Sequence, residues 1–178
     1  MEQRPLPVDE EIKFSADEII VSKTDLKGRI TYVNDVFCRV AEMNTIETLG
    51  KPHNIIRHPD MPRAIFKLLW TTLQKGEEIF AYIKNMSATG KYYWVIAHVT
   101  PSYDSNNNII GYHSNRRYPN HEGIQNVLPL YNRLLQEEAR HSGPKDGLDK
   151  SFALLDSMIS ESGKSYEEFI WGLVGKNA

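Results

Sequence analysis

The spacing of apolar and polar residues along the chain changes several times. Two β-type segments, 19–23 and 29–33, flank a turn at 24–28 and predict a hairpin. From Asn34 onward the apolar residues recur at helical spacing, and the Asn34 side chain is suited to cap that helix. The helices predicted next are a short one at 45–49 and a longer amphipathic one that follows Pro62 and ends before Gly76, with the irregular segment 53–62 between them.

Strand spacing returns after Gly76. The three predicted strands cover 78–86, 91–103 and 108–117, and the segments 87–90 and 104–107 have the composition of hairpin turns. An antiparallel sheet with the helical insert packed across one face follows from this order. A cavity between the insert and the sheet is then possible.

Helical spacing resumes beyond Pro119. One apolar stripe runs from Ile124 to Leu135, with Pro129 expected to threaten a kink, and a break is predicted at 142–144. Two further amphipathic stretches follow. These helices need a surface that covers their apolar faces.

The strand at 91–103 is apolar on both faces. One alternate set of its residues begins at Tyr93 and includes Val95 and Ala97, and the other begins at Tyr92 and includes Trp94. An antiparallel strand with one solvated face alternates apolar and polar residues. Both faces of the sheet are therefore expected to be covered, one by the insert or a ligand, the other by a terminal helix or another chain.

Composition narrows the function classes. The chain has 178 residues, 40% of them hydrophobic and 25% charged, and a formal net charge of −2, which gives no electrostatic reason to expect nucleic acid as a partner. Cys38 is the only cysteine, so no disulfide or Cys-x-x-Cys motif is available within the chain, and a cytoplasmic location is expected. The amino-terminal residues lack an apolar signal core, and the longest uncharged stretch, 92–103, is too short to span a bilayer. No direct membrane insertion is expected.

Segment 53–62 carries the most distinctive chemistry. Arg57 offers a planar fork for a phosphate or carboxylate, and Asp60 can accept a hydrogen bond from a ribose hydroxyl or from Arg57. A solvated loop held by an Arg57–Asp60 pair is the alternative. His53, His58 and Asp60 are competent metal ligands, but their spacing matches no familiar zinc pattern, so no metal site is predicted.

The run GKPHNIIRHPDMPRAIFKLLW, with ITYVNDVF before it and KYYWVIAHVTP and GYHSNRR after it, resembles the PAS domain of bacterial aerotaxis (energy-taxis) receptors. The resemblance covers about residues 19–118 and continues more weakly through 127–131. It implies a PAS fold of the α+β class, with a non-covalently bound FAD whose redox state controls signalling. The resulting division is a lead-in at 1–18, a PAS sensor domain at 19–119 and a helical C-terminal extension at 120–178.

The resemblance also implies a set of FAD-binding residues and no catalytic ones. The predicted cofactor-binding residues are Arg57, His58, Asp60, Trp70, Asn34, Asn85, His53 and His113. Val95, Ala97 and His113 are expected to face the pocket. Core filling by Trp70 and a strand-end turn role for Asn85 stay open as alternatives.

The chain ends where a receptor would continue into membrane and signalling segments. It therefore resembles the free-standing PAS subunits of bipartite energy-taxis receptors, whose expected partner is a membrane-bound methyl-accepting chemotaxis-type receptor with a HAMP domain. The C-terminal extension would be a docking element or would form a homodimer. The hypothesis for signalling is that Asn85 reorients on flavin reduction and that the sheet carries the change to Trp94 and Ile96, which would contact the partner.

Other function classes are compatible with parts of this sequence. A haem-binding PAS gas sensor and a cofactor-free PAS interaction module share the fold and stay open. A light sensor is disfavoured because Cys38 lies in the first helix rather than in the lid helix. An oxidoreductase is disfavoured because the sequence has no nicotinamide fingerprint.

Overall fold

A computed structural model describes residues 5–174 of the chain. Five strands, β1 to β5, form one antiparallel sheet in the order β2-β1-β5-β4-β3. Their bounds are Ile20–Thr24, Ile30–Val33, Ile79–Met86, Tyr92–Tyr103 and Ile109–Arg117. The predicted α+β fold, an antiparallel five-stranded sheet with a helical insert and C-terminal helices, is confirmed.

The helical insert lies between β2 and β3. It consists of α1 (Asp35–Ala41), α2 (Thr45–Thr48), a 3₁₀ helix (His53–Ile56) and α3 (Arg63–Gln74). Asn34 caps α1 as predicted, because its Oδ1 accepts a hydrogen bond from the Phe37 backbone N–H at 3.0 Å.

The sheet has two differently covered faces. The side chains of Tyr93, Val95 and Ala97 in β4 are buried on the inner face, against the helical insert. Since side chains alternate along a strand, Trp94 and its alternate neighbours lie on the outer face. The expectation that both faces are covered is confirmed.

The chain's own C-terminal helices cover the outer face. They are α4 (His121–Ala139), α5 (Pro144–Glu161) and α6 (Tyr166–Val174). The Tyr131 ring of α4 stacks on Trp94 with centroids 6.4 Å apart, and its hydroxyl donates to the Tyr82 carbonyl of β3 at 2.5 Å. α6 contacts β3, and α5 packs against α3 of the insert. In the part of the chain that the structure describes, no helix combines the length and apolar character that a membrane span requires.

One expectation about this region needs correction. Trp94 cannot contact a partner in this conformation, because it is 6% exposed beneath Tyr131, and Ile96 beside it is also partly buried. Pro129 lies inside α4, which runs from His121 to Ala139, and the expected kink there stays a prediction. Packing of Val127 and Leu130 in the core offsets the backbone hydrogen bond that proline cannot donate.

The amino-terminal segment runs along the start of β4. The Val8 N–H donates to the Gly90 carbonyl at 2.8 Å, and the Ile12 N–H donates to the Tyr92 carbonyl at 2.7 Å. Residues 5–18 contain no helix. The first four residues of the expected lead-in lie outside the described residues.

Candidate functional site

The inner face of the sheet carries a polar cluster within an otherwise apolar core. It comprises Ser22 of β1, Asn85 of β3, Tyr93 of β4, and Ser114 and Arg116 of β5, all buried. The strand register places them on one face, with Asn85 opposite Tyr93 and Ser22 opposite Ser114. The cluster, called here the inner polar cluster, therefore spans four of the five strands.

Most polar side chains of the inner polar cluster have unmet hydrogen-bonding capacity. Within residues 5–174, no partner is found for Asn85 Nδ2, Tyr93 OH, Ser114 Oγ or Arg116 Nη1. Buried polar groups are nearly always hydrogen-bonded, and an unsatisfied one costs about 1–3 kcal/mol. Four such atoms on one inward face indicate a site built to contact the polar edge of a ligand.

Arg116 is the most unusual member of the cluster. It is 3% exposed, and its Nη2 donates to Ser22 Oγ and to His53 Nε2, both at 2.6 Å. Among the described residues no carboxylate pairs with it, and burial lowers the pKa of its guanidinium to about 10. A buried cation with only neutral partners is expensive to maintain. A ligand with a negative or electron-rich group would compensate this charge.

His53 holds Arg116 in place. The 3₁₀ helix directs its imidazole into the core, where Ser22 Oγ lies 3.0 Å from Nε2 and the Phe37 ring lies edge-on, with centroids 6.4 Å apart. Burial, and then the charge of Arg116, lower the pKa of His53 to about 3. A neutral imidazole whose Nε2 accepts from the guanidinium follows from this pKa.

The His53 pKa predicts how the stability of the protein depends on pH. Because the folded-state pKa of about 3 lies below the ordinary value of 6.5, the unfolded chain binds the extra proton first. The free energy of unfolding should fall as pH decreases below 6.5, with a contribution from His53 approaching about 1.4 kcal/mol per pH unit.

Urea unfolding at several pH values between 6.5 and about 5 measures this slope. His53→Gln keeps an acceptor for Arg116 but does not titrate, so its slope should be shallower than that of the wild type. Equal slopes in the two proteins would contradict the assignment of a neutral, partly buried His53.

A cavity of about 920 Å³ opens at the loop that precedes α3, and its lining includes no residue of the inner polar cluster. Its lining is formed by Pro5, Met43, Glu47, Lys51, Asn54, Ile55, Arg57, His58, Pro59, Arg63 and Ala88. Three of these side chains are cationic at neutral pH and one is acidic. This cavity, called here the cationic mouth, is suited to a phosphate-bearing ligand.

Arg57 links the cationic mouth to the inner polar cluster. Its Nη2 donates to the Met61 carbonyl at 2.8 Å, and its guanidinium lies 4.3 Å from the centre of the Phe66 ring. Its backbone forms an isolated antiparallel bridge with Asn85 of the edge strand β3. This bridge attaches the loop that lines the cationic mouth to β3, the strand that carries the buried Asn85 amide.

His58 and Asp60 form a separate group at the edge of β3. His58 is buried, and its Nδ1 accepts from the Asp60 N–H at 3.1 Å. The Asp60 carboxylate is exposed and pairs with Lys84 at 2.9 Å. Asp60 therefore pairs with Lys84, and the alternative of an Arg57–Asp60 pair is wrong. Among residues 5–174 no three or more His, Cys, Asp or Glu side chains gather as a metal site would require.

Two of the predicted site residues, Asn34 and Trp70, make contacts within the protein that stabilise the fold. Asn34, besides capping α1, donates to the Ile19 carbonyl at 2.8 Å and accepts from the Val21 N–H at 2.9 Å. Trp70 packs edge-to-face on Tyr112, with centroids 5.3 Å apart, and over Gly28 at the β1–β2 turn. Their roles in cofactor binding stay predictions, as do those of Arg57, His58, Asp60, Asn85 and His53.

The prediction that His113 faces the pocket is wrong. It lies on the outer face of β5, where its Nε2 is 3.1 Å from Asn115 Oδ1. Alternation from the buried Tyr112 places Ser114 and Arg116 inward instead. Arg116 is absent from the predicted site residues. Strand alternation would have indicated it if the set containing Tyr112 and Ser114, rather than His113, had been placed on the inner face.

The family model for the PAS fold matches residues 30–116. The aerotaxis receptor of Escherichia coli (strain K12) is 39% identical over 134 residues, which are 75% of this chain and 26% of the receptor. The nitrogen fixation regulatory protein of Klebsiella pneumoniae is 28% identical over 83 residues, 47% of this chain and 17% of that protein. The chain therefore spans about a quarter or less of the length of these relatives.

Solved structures with the same fold include the light state of the blue-light photoreceptor Aureochrome1 LOV. That domain superposes with a TM-score of 0.56 at 20% identity, over 64% of this chain and 91% of the other. A light-oxygen-voltage domain studied with a flavin analogue gives a TM-score of 0.54 at 18% identity, over 65% and 86%. These similarities support the fold, and the sequence matches identify the family: the chain carries a PAS domain of the aerotaxis receptor family.

Proposed function

We propose that this protein is an FAD-binding redox sensor for energy taxis that passes its state to a chemoreceptor-type signalling partner. The observation that carries the proposal is the inner polar cluster, in which a buried arginine lies among polar atoms without hydrogen-bond partners and pairs with no carboxylate of residues 5–174. The cationic mouth, joined to β3 by the backbone bridge between Arg57 and Asn85, supports a ligand that combines a polar ring with phosphates.

The two parts of the site would hold different parts of FAD. Arg116, Asn85 and Tyr93 would contact the polar edge of the isoalloxazine ring, with hydrogen-bonding atoms that are otherwise unmet. Arg57 and Lys51 would face the pyrophosphate. When bound, the flavin supplies reversible uptake of electrons, and the protein supplies binding and electrostatics.

The relatives favour a flavin sensor rather than an enzyme. The Escherichia coli relative is an aerotaxis receptor, and one structural neighbour was studied with a flavin analogue. PAS domains of this kind are signalling domains. The chain corresponds to about a quarter of the aerotaxis receptor, 26% of its length, so output requires segments beyond those matched. A cytoplasmic location and a methyl-accepting partner with a HAMP domain are part of the proposal, and a homodimer is a further option.

The chain's own residues offer a route for the signal. Arg116 responds to the charge at the ring edge because its only described partners are neutral. The Asn85 amide is free of described partners at Nδ2, so it can reorient as the hydrogen-bonding pattern beside it changes. Asn85 lies on β3, three residues from Tyr82, whose carbonyl accepts from Tyr131 of α4. Movement of β3 is therefore transmitted directly to the C-terminal helices.

Titration of cofactor-free protein with FAD and with riboflavin tests the proposed division of the site. Arg57→Gln should raise the dissociation constant for FAD about tenfold, as expected for loss of a charge-assisted hydrogen bond. Riboflavin, which has no phosphate, should bind the variant and the wild type equally. Arg133→Gln, at an exposed position of α4, is the matched control and should bind both ligands as the wild type does. Equal loss of both ligands, or of neither, would contradict a phosphate role for Arg57.

A further inference from the structure

The N-terminus of α3 is capped by a side chain from a distant part of the chain. Pro62, at the N-cap position, makes no side-chain cap. Instead, Glu138 of α4 accepts through Oε1 from the backbone N–H groups of Arg63 and Ala64, at 2.7 and 3.2 Å. Its Oε2 accepts from Arg63 Nε at 2.7 Å. One carboxylate thus satisfies two orphan donors of the helix and one cationic side chain.

This contact is well protected from solvent. The Glu138 side chain is 9% exposed, so its interaction with Arg63 is screened less than that of a surface pair. The Arg63 guanidinium also donates through Nη1 to the Pro144 carbonyl at 2.6 Å. Arg63 is therefore held at both the end of α4 and the start of α5.

Other contacts extend the connection along α3. Lys67 pairs with Asp149 at 2.7 Å, and its ammonium group lies 4.7 Å from the centre of the Phe152 ring. At Gly147 any larger residue would meet the Glu138 carbonyl, since an added Cβ would lie 2.7 Å from that oxygen. The joint between α4 and α5 consequently fits closely against α3.

The residues that Glu138 holds belong to the cationic mouth. Arg63 lines that cavity and follows directly after the loop 57–62. The Arg57 guanidinium is bonded to the carbonyl of Met61, two residues before Arg63. A shift of the α3 N-terminus would therefore displace both cationic side chains together.

We propose that Glu138 is a positioning residue that couples cofactor binding to the docking of the C-terminal helices. By holding Arg63 and the start of α3, it fixes the shape of the cationic mouth, and an occupied mouth in turn stabilises the docked α4–α5 joint. This inference rests on the proposed function. Coupling between two equilibria is reciprocal, so docking of the α4–α5 joint strengthens FAD binding by the same factor by which FAD strengthens docking.

Hydrogen exchange of the full chain, measured with and without FAD, tests the coupling. FAD should slow amide exchange in the first half of α5 by about fivefold or more in the wild type, the lower end of typical coupling. Glu138→Gln keeps an acceptor for the backbone N–H groups but loses the charge, so the slowing should fall below about twofold and the FAD dissociation constant should rise by about fivefold.

Two further variants sharpen the result. Glu137→Gln is the matched control, since the neighbouring carboxylate pairs only with Arg140 and His141 among the described residues, and it should respond to FAD as the wild type does. Arg63→Lys leaves the Glu138 cap on the backbone intact but removes the Nε bond, so its response should be smaller than that of the wild type. It also provides a readout if Glu138→Gln does not fold.

The outcomes separate this inference from the proposed function. If flavin absorbance shows that FAD binds while α5 exchange does not respond, the coupling is overturned and the proposed function stands. If FAD slows α5 exchange in Glu138→Gln or in Arg63→Lys as much as in the wild type, the proposed role of the contact between Glu138 and Arg63 is also overturned. Absence of FAD binding overturns both proposals.

Discussion

Replacing Arg116 by methionine should stabilise the cofactor-free protein and at the same time weaken its binding of FAD. Methionine fills a similar volume and removes a buried cation whose side-chain hydrogen-bonding partners, among the residues that the structure describes, are Ser22 and His53. Removing buried charge in favour of apolar packing is often stabilising, and we expect the free energy of unfolding to rise by about 1 kcal/mol. Loss of a charge-assisted contact should raise the FAD dissociation constant about 10- to 100-fold.

Chemical denaturation of the cofactor-free protein and titration with FAD measure the two effects separately. Arg117→Met is the matched control, because Arg117 is the next residue of β5 and lies exposed on the other face. Arg117→Met should change neither the free energy of unfolding nor the FAD dissociation constant appreciably. A destabilised Arg116→Met protein that still binds FAD with wild-type affinity would show that Arg116 is a structural residue and not a ligand-binding one.

The second large effect is expected at Gly123, where α4 begins its contact with the sheet. A Cβ at this position would overlap the Tyr82 hydroxyl and lie 2.6 Å from Tyr82 Cζ. Tyr82 is buried and its carbonyl is bonded to Tyr131, so it has little room to move. Gly123→Ala should therefore lower the free energy of unfolding by about 1–3 kcal/mol, the usual range for overpacking, and loosen α4 from the outer face.

Gly172→Ala provides the control for Gly123→Ala. Gly172 is exposed in α6, and the nearest atom to an added Cβ is the Lys164 ammonium at 3.5 Å, so alanine should be neutral or stabilising by about 1 kcal/mol through helix propensity. Denaturant unfolding and hydrogen exchange of α4 measure both variants. Wild-type stability in Gly123→Ala would contradict the close packing of α4 on Tyr82.

Local signals explain why the elements could be predicted from the sequence. The strands begin or end within a residue of their predicted bounds, because residues typical of turns separate them. The Asn34 cap was predictable for the same reason, since a cap and its helix are adjacent in sequence. That α4 continues through Pro129 was not predictable in this way, because the packing of its neighbours leaves no local pattern.

The candidate site could be predicted only in part. The unusual composition of the segment around Arg57 marks it as a candidate ligand site. The pattern of β5 does not indicate which alternate set of residues faces inward, and Arg116 belongs to the set that the prediction placed outward. An apolar strand face does not indicate what covers it, so the predicted contact of Trp94 with a partner protein could not be distinguished from its actual contact with Tyr131 of α4. The contact between Arg63 and Glu138 joins residues 75 positions apart and leaves no local pattern at all.

Two connections lead from the candidate site to the C-terminal helices, and they begin at different parts of the site. One passes from β3 through the Tyr82 carbonyl to Tyr131, and the other passes from the cationic mouth through Arg63 to Glu138. Both end on α4, the first near its middle and the second at its last turn. The C-terminal helices therefore contact both the sheet that would hold the ring and the loop that would hold the phosphates.

The visible absorption spectrum of the freshly purified full chain, recorded before and after anaerobic addition of dithionite, tests the central claim most directly. We predict the paired bands of a flavin, which bleach on reduction, and release of FAD when the protein is denatured. A single intense Soret band would instead identify a haem protein. A colourless protein that takes up neither FAD nor haem would show that the domain works without a cofactor, and either of these results would contradict the account.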